Sequence, residues 1–243
     1  VELRLTTEQQ QAVTRAMDEN SIRDVNLYLY GDTEYHFYFP SVSSPLVFNV
    51  LPGNYRSYAI ANAGQDLGDK NAFEIQFYET AVDVMESSDA IPMTDRGTLA
   101  VDGAGRCTPS SLRVTRSAAK IAYTIEVADA VAPSLRLRSV QFCNLPLTIR
   151  PFDSGSISST VEANYYDGEA MPVGNERRTA GTAYLFENLQ GSVDTITDQK
   201  DKCPENAPAC ATYLRILAER SADKALVEYI VYPGENNTSD FNV

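Results

Sequence analysis

The segment from Ala211 to Val243 constrains the fold more than any other. In Tyr213-Leu-Arg-Ile-Leu-Ala218, the side chains of Leu214, Ile216 and Ala218 fall on one side of an extended chain, and those of Tyr213, Arg215 and Leu217 on the other. Ser221-Ala-Asp223 supplies a turn, and Lys224 to Tyr232 continues as a second apolar run rich in β-branched and aromatic residues. A period of two over such residues specifies strands, because successive side chains of a strand point to opposite faces. Pro233-Gly234 stops the second strand, and Glu235 to Asp240 is expected to be loop, ending at Phe241-Asn-Val243. A hairpin followed only by loop leaves an edge of unpaired backbone groups, which invites addition of a strand from elsewhere.

The same rhythm fills the first half. Asp24 to Tyr30 is a strand with Val25, Leu27 and Leu29 inward, Gly31-Asp-Thr33 turns it, and Tyr35, Phe37 and Phe39 share one face of the returning strand. Leu46, Phe48 and Val50 form a third strand, Pro52-Gly-Asn54 turns, and Tyr55 to Asn62 is a fourth. Phe73, Phe77, Ala81 and Met85 recur every four residues and predict one short helix capped near Asn71. Ile91 to Gly97 reads as a turn. Lys120 to Val127 alternates, with Ile121, Tyr123, Ile125 and Val127 inward, and the apolar phase of Leu135 to Cys143 shifts between Leu137 and Val140, which implies a bulge. Ser159 to Asn164 is a candidate strand, Glu169 to Gly181 a polar loop, and Ala183 to Leu189 a buried strand. Val1 to Leu5 alternates like a strand. Thr7 to Gln10 has capping-box spacing, so a strand, a short helix or an extended arm all fit residues 1–23. The class is therefore all-β with one short helix. Prolines at 146 and 151, followed by Gly and Ser, place a linker near residue 150, giving domains 1–150 and 151–243.

Composition narrows the function. A net charge of −13 lacks the basic footprint of nucleic-acid binding. With 43% hydrophobic residues the chain can bury a core. It holds no apolar run of about 18 residues to span a membrane. No signal peptide opens it, so it is expected to be cytosolic or a mature fragment. His36 is the one histidine, and it lies beside aromatic residues on a strand. That excludes a His-pair zinc site and disfavours a Ser-His-Asp triad, and no Walker A, Gly-x-Ser-x-Gly or Gly-x-Gly-x-x-Gly motif occurs. Asp194, Asp198 and Asp201 lack the alternating spacing of a calcium loop. The absence of tryptophan disfavours a carbohydrate cleft, although fourteen tyrosines are present. No cofactor, metal or enzymatic activity is expected. Cys203 and Cys210 flank a Pro-Glu-Asn-Ala-Pro-Ala loop and are either a loop-closing disulfide or two unpaired thiols. Cys107 and Cys143 read as small core or loop residues.

Several stretches together resemble fimbrillins, the subunits of type V pili of Bacteroidales. They are Leu-Pro-Gly-Asn-Tyr-Arg-Ser-Tyr-Ala-Ile-Ala-Asn (51–62), Ile-Pro-Met (91–93), Arg-Ser-Ala-Ala-Lys-Ile (116–121), Tyr-Leu-Phe-Glu-Asn-Leu-Gln-Gly (184–191), and the closing Tyr-Pro-Gly-Glu-Asn-Asn with Ser-Asp-Phe-Asn-Val. The resemblance spans nearly the whole chain. It departs at the Cys-bearing loop and at the C-terminus, where one further strand is expected and is missing. It implies two transthyretin-like β-sandwich domains in tandem and a structural subunit of a cell-surface fimbrium serving adhesion. It further implies export as a lipoprotein to the outer membrane, cleavage after an arginine by an arginine-specific or similar protease, and assembly with other pilus subunits by donor-strand exchange. Arg15 is the expected cleavage residue, since it follows a short strand and precedes the first core strand. The alternative is a monomeric surface lipoprotein or tip adhesin that binds a glycan or protein of a host or bacterial surface.

Overall fold

Alternating apolar and polar residues become paired strands along most of the chain in the computed structural model, which describes residues 1–7, 20–83, 85, 90–153, 158–174 and 176–243. The chain divides into two units, residues 1–117 with 148–154, and residues 118–147 with 155–243. The linker read near residue 150 assigns 118–147 to the first domain. In the structure these residues pack with the second unit, and the chain returns briefly to the first afterwards.

The first unit contains β1 (Glu2–Thr7), β2 (Val25–Tyr30), β3 (Glu34–Phe39), β4 (Leu46–Val47), β5 (Gly53–Ala61), β6 (Thr80–Ala81), β7 (Met93–Val101), β8 (Cys107–Thr108) and β9 (Ser111–Arg116). The main sheet runs β3-β2-β5-β7-β9-β1-β4, with β8 beside β7. One side carries the core: Leu3, Val25, Leu27, Leu29, Tyr55, Leu99, Leu112 and Val114 are buried together, and Tyr35, Phe37 and Phe39 pack against them as their spacing predicts.

All of β2 is buried, not just the odd-numbered face. Its even-numbered side chains reach up to the loop over them. Asp24 accepts from the Ala63 and Gly64 amides, and Asn26 donates to the Gln65 carbonyl and accepts from the Leu67 amide. The Tyr28 and Tyr30 hydroxyls donate to the carbonyls of Gly68 and Lys70. Polar residues on this face are therefore a fixing point for a loop, and period-two reasoning takes them for solvent-facing ones.

Two expectations fail locally. Met93 to Gly97 is no turn but half of β7, held by β5 in a register that runs from Ala61↔Met93 to Gly53↔Val101. Nine cross-strand pairs outweigh the turn preference of Asp95 and Gly97. The helix from Phe73 to Met85 also does not form as one piece. Asn71 does cap, accepting from the Phe73 and Glu74 amides while the Glu74 carboxylate accepts from the Asn71 amide. Only a 3₁₀ turn follows, Glu74–Phe77, and Tyr78 is extended at ψ 132°. Thr80 and Ala81 then form β6, pairing with Thr148 and Ile149, and helical backbone resumes at 82, 83 and 85.

The chain continues with β10 (Ala118–Glu126), β11 (Leu135–Cys143) and β12 (Leu145–Pro146) in the second unit, then β13 (Thr148–Ile149), which is the partner of β6 in the first. Back in the second unit follow β14 (Tyr165–Tyr166), β15 (Met171–Pro172), β16 (Arg178–Phe186), β17 (Leu189–Ser192), β18 (Tyr213–Arg220), β19 (Leu226–Val231) and β20 (Asp240–Asn242). One sheet is β15-β11-β18-β19, and β10 pairs with β16 along nine residues. Val127, Leu137, Val140, Phe142, Leu185, Leu214 and Ile216 form the core, with Ile121, Tyr123 and Ile125 against it. The bulge read from the apolar phase is present as a register shift between Leu137 and Ser139. Residues 159–164, expected as strand, include a 3₁₀ turn at Glu162–Asn164, and the expected polar loop at 169–181 contains β15 and the start of β16.

The C-terminal residues do not trail off as loop. β20 pairs with β17, Asn188 and Val243 exchange backbone hydrogen bonds, and Phe241 is 1% exposed, its ring edge-on to Tyr232. Asn236 folds the preceding turn by accepting from the amides of Thr238 and Asp240. Lys202, itself 8% exposed, donates to the carbonyls of Pro233 and Asn236 and stands over the Phe241 ring.

Candidate functional site

The residues of β1 make it a strand in its own right. Leu3 points inward and is fully buried, Val1 and Leu5 pack against the same core, and Glu2, Arg4 and Thr6 face solvent. The strand lies between two others. On one side it pairs parallel with β9, Arg4↔Ser111 through Thr7↔Val114; on the other it pairs antiparallel with β4, Glu2↔Val47 and Leu3↔Leu46. The terminal ammonium of Val1 donates to the Phe48 carbonyl at 2.9 Å, the Phe48 amide donates back to Val1, and the Arg4 amide donates to Ser110.

Among the described residues β1–β9 is the one parallel pairing. Parallel strands need a long crossover between them, so β1 is joined to its partner by distant chain and not by a tight turn. Taking β1 out would leave β9 and β4 about two strand spacings apart, roughly 10 Å, with unpaired backbone along both and Leu46, Leu112 and Val114 uncovered below. Such a gap fits one extended segment with apolar residues at alternate positions. Beyond Thr7 a cavity of about 720 Å³ is lined by Leu5, Ile22, Val42 and Arg113 among others. Arg15, the residue expected to be cleaved, lies outside the described residues.

The other singled-out residues are scattered. His36 stands opposite Tyr28 and stacks on its ring at 4.4 Å, with Nε2 3.1 Å from Asn26 Oδ1 and the carboxylates of Asp66 and Asp69 at 3.7 and 3.6 Å. This is a cross-strand setting, as its neighbours in sequence predict. Asp198 accepts from the Lys200 amide and pairs with its ammonium. No group of three or more His, Cys, Asp or Glu that could hold a metal ion occurs among the described residues. Cys203 and Cys210 are free thiols in the structure, as are Cys107 and Cys143. Burial pushes the Cys143 thiol up to about 11. Alternation finds β1 and the strand at Leu46 but not that they pair, and it does not link β1 to Ser111–Arg116, a hundred residues away.

Comparison with known proteins matches residues 183–243 to a domain of unknown function, DUF4906. No curated protein matches the chain. Among solved structures, a fimbrilin of Porphyromonas gingivalis W83 superposes with a TM-score of 0.64 at 13% identity, covering 100% of this chain and 85% of that one. A candidate cell adhesion protein of Parabacteroides distasonis superposes with a TM-score of 0.59 at 9% identity, covering 94% and 81%. At these identities the likeness is one of fold, and the fold is fimbrillin-like.

Proposed function

We propose that this chain is a structural subunit of a cell-surface fimbrium and polymerises by strand exchange, with β1 as the strand that is given up. The observation that carries this reading is the placement of β1, a core-filling strand set between β9 and β4 and continuous with the stretch 8–19 that contains Arg15. The likeness in fold to a fimbrilin supports it. Cleavage after Arg15 by an arginine-specific protease leaves residues 1–15 held by non-covalent contacts alone. Their loss opens the gap, and a strand from a neighbouring subunit restores the ladder and the apolar face, as in strand-addition complexes generally. Burial of a side chain such as Leu3 contributes about 1.5–3 kcal/mol, so the incoming strand has a strong reason to stay. The precursor is a lipoprotein carried to the outer membrane, and the assembled filament serves adhesion to a host or bacterial surface.

A second reading, a monomeric surface binding module, draws on one feature. Phe73 and Phe77 are 70% and 49% exposed, with ring centroids 4.8 Å apart, and form an aromatic patch on the first unit. The strand-exchange reading stands ahead of it because the sandwich is completed by an N-terminal strand. The test is cleavage of the purified chain with an arginine-specific protease, N-terminal sequencing, and electron microscopy of the product. Fibres whose subunits begin at Ala16 are expected. A different new N-terminus removes Arg15 from the reading, and cleaved subunits that stay monomeric with residues 1–15 lost overturn strand exchange.

A further inference from the structure

The first unit is completed by chain that arrives from a distant part of the sequence. Residues 118–147 and 155–243 belong to the second unit, and the segment between them, 148–154, packs with the first. Three features seat it. Thr148 and Ile149 form β13 and pair antiparallel with Ala81 and Thr80 of β6. The Phe152 ring, 5% exposed, stands edge-on to Tyr58 with centroids 5.1 Å apart, in a cluster with Ile60 and Ile75. Arg96 Nη1 donates to the Phe152 carbonyl at 2.7 Å, and Arg150 Nε pairs with the Glu79 carboxylate at 3.3 Å. A short ladder, a buried aromatic anchor and placed polar partners are the means by which a peptide is bound in a groove. The segment therefore sits on the first unit as a ligand does, although both of its ends run into the second.

Apart from this segment, one covalent link joins the two units. β9 ends at Arg116 in the first unit and β10 begins at Ala118 in the second, so Ser117 alone connects two strands. The Ser117 amide donates to the Pro92 carbonyl. Its hydroxyl is buried and has no hydrogen-bond partner among the described residues. A hinge this short invites exchange of an element between identical chains. The contacts of the exchanged segment are the same in both arrangements, so the two differ only at the hinge and in the entropy of association.

We propose that the groove for residues 148–154 also takes that segment from a second copy of this chain, giving a reciprocally exchanged dimer. Each Phe152 then seats against the partner's Tyr58, and each Arg150 against the partner's Glu79. Both copies give and receive the same element, so the dimer is two-fold and closed. Neither β1 nor cleavage at Arg15 enters into it, and it stands whether or not strand exchange occurs.

The test uses the intact chain refolded from urea, followed by size-exclusion chromatography with light scattering. A dimer is expected whose share grows with protein concentration during refolding and which persists after dilution. Two charge-reversed variants identify the exchanged element. The Arg150 and Glu79 side chains are 53% and 45% exposed, so Arg150→Glu and Glu79→Arg should leave the fold intact, which circular dichroism checks. In either variant alone, like charges meet at every groove. In a mixed dimer each segment meets a groove of opposite charge. Refolded together in equal amounts at low salt, the two variants should give heterodimer in about threefold excess or more over both homodimers combined, read by anion exchange. A heterodimer share no greater than random pairing gives, or a wild-type chain that stays monomeric after refolding at its highest soluble concentration, overturns the proposal.

Discussion

Replacing Leu3 with alanine measures how firmly β1 is held. The side chain is fully buried in the core of the first unit, in a strand of six residues. The change removes three carbons, worth about 0.8 kcal/mol each on transfer from water. The cavity left behind adds a further term, because Leu112, Val114 and Leu46 sit on other strands and cannot all follow. Measured leucine-to-alanine changes at such sites run from about 2 to 5 kcal/mol, and about 3 is expected here. With a urea m-value near 2 kcal/mol/M, the transition of the first unit should fall by about 1.5 M. Glu2→Ala, on the exposed face of the same strand, should change stability by less than about 0.5 kcal/mol. The same loss applies to the cleaved molecule, where residues 1–15 are a bound peptide. At 1.4 kcal/mol per tenfold, Leu3→Ala should weaken their retention about a hundredfold, and fibres should form correspondingly sooner after proteolysis. A loss below about 1 kcal/mol, or one matched by Glu2→Ala, would mean that β1 is not part of the core and that its release uncovers nothing.

Asn188 is fully buried. It donates to Cys210 O and Thr212 Oγ1 and accepts from Gln190 and Tyr165, so Asn188→Ala should cost about 2–4 kcal/mol, read as a lowered melting temperature of the second unit. Thiol titration should find Cys143 and Cys210 unreactive at pH 8 in the folded chain and four free thiols after unfolding; finding two after unfolding would restore the Cys203–Cys210 disulfide. Hydrogen bonds from Arg220 hold the Asp223 carboxyl down to about 2, so this pair favours the folded state above the ordinary carboxylate range and loses its effect as pH falls toward 2. An NMR titration should show that value, and Arg220→Ala should raise it toward the ordinary carboxylate range without reaching it, since the Ala225 amide still donates to Asp223. Gly234→Ala places a Cβ 2.3 Å from the Asp240 carbonyl oxygen, and should free the C-terminal segment to faster amide exchange.

Local pattern carries far in this chain, and long-range pairing does not. The β10 alternation, the bulge in β11, the hairpin β18–β19 and the cap at Asn71 follow from residues within a few positions of each other, and each is found where its residues place it. What sequence misses depends on partners. Met93 to Gly97 carries turn residues, and pairing with β5, helped by β9 at Met93 and Thr94, makes it a strand. Asp240 to Asn242 is three residues after a polar turn, and becomes strand because β17 pairs with it and Lys202 holds that turn from outside. The helix expected over 73–85 breaks because Thr80 and Ala81 pair with a segment near residue 148, a link no nearby residue announces. The same crossing of chain between units moves the boundary away from residue 150. At the candidate site, the inward Val1, Leu3 and Leu5 are readable, whereas the insertion of their strand between Ser111–Arg116 and Leu46–Val47 is not.

The loop fastened over β2 bears on where this molecule tolerates foreign sequence. Gly64 to Lys70 and Asp102 to Arg106 look interchangeable on paper, both short, polar and glycine-bearing. The second is closed by its own residues, with Asp102 accepting from Ala104, Arg106 and the Arg106 guanidinium. A tag or epitope spliced into it should leave the sheet intact. The same splice into 64–70 would pull apart four side-chain anchors and wet one whole face of β2, so display libraries belong at the former loop and not at the latter.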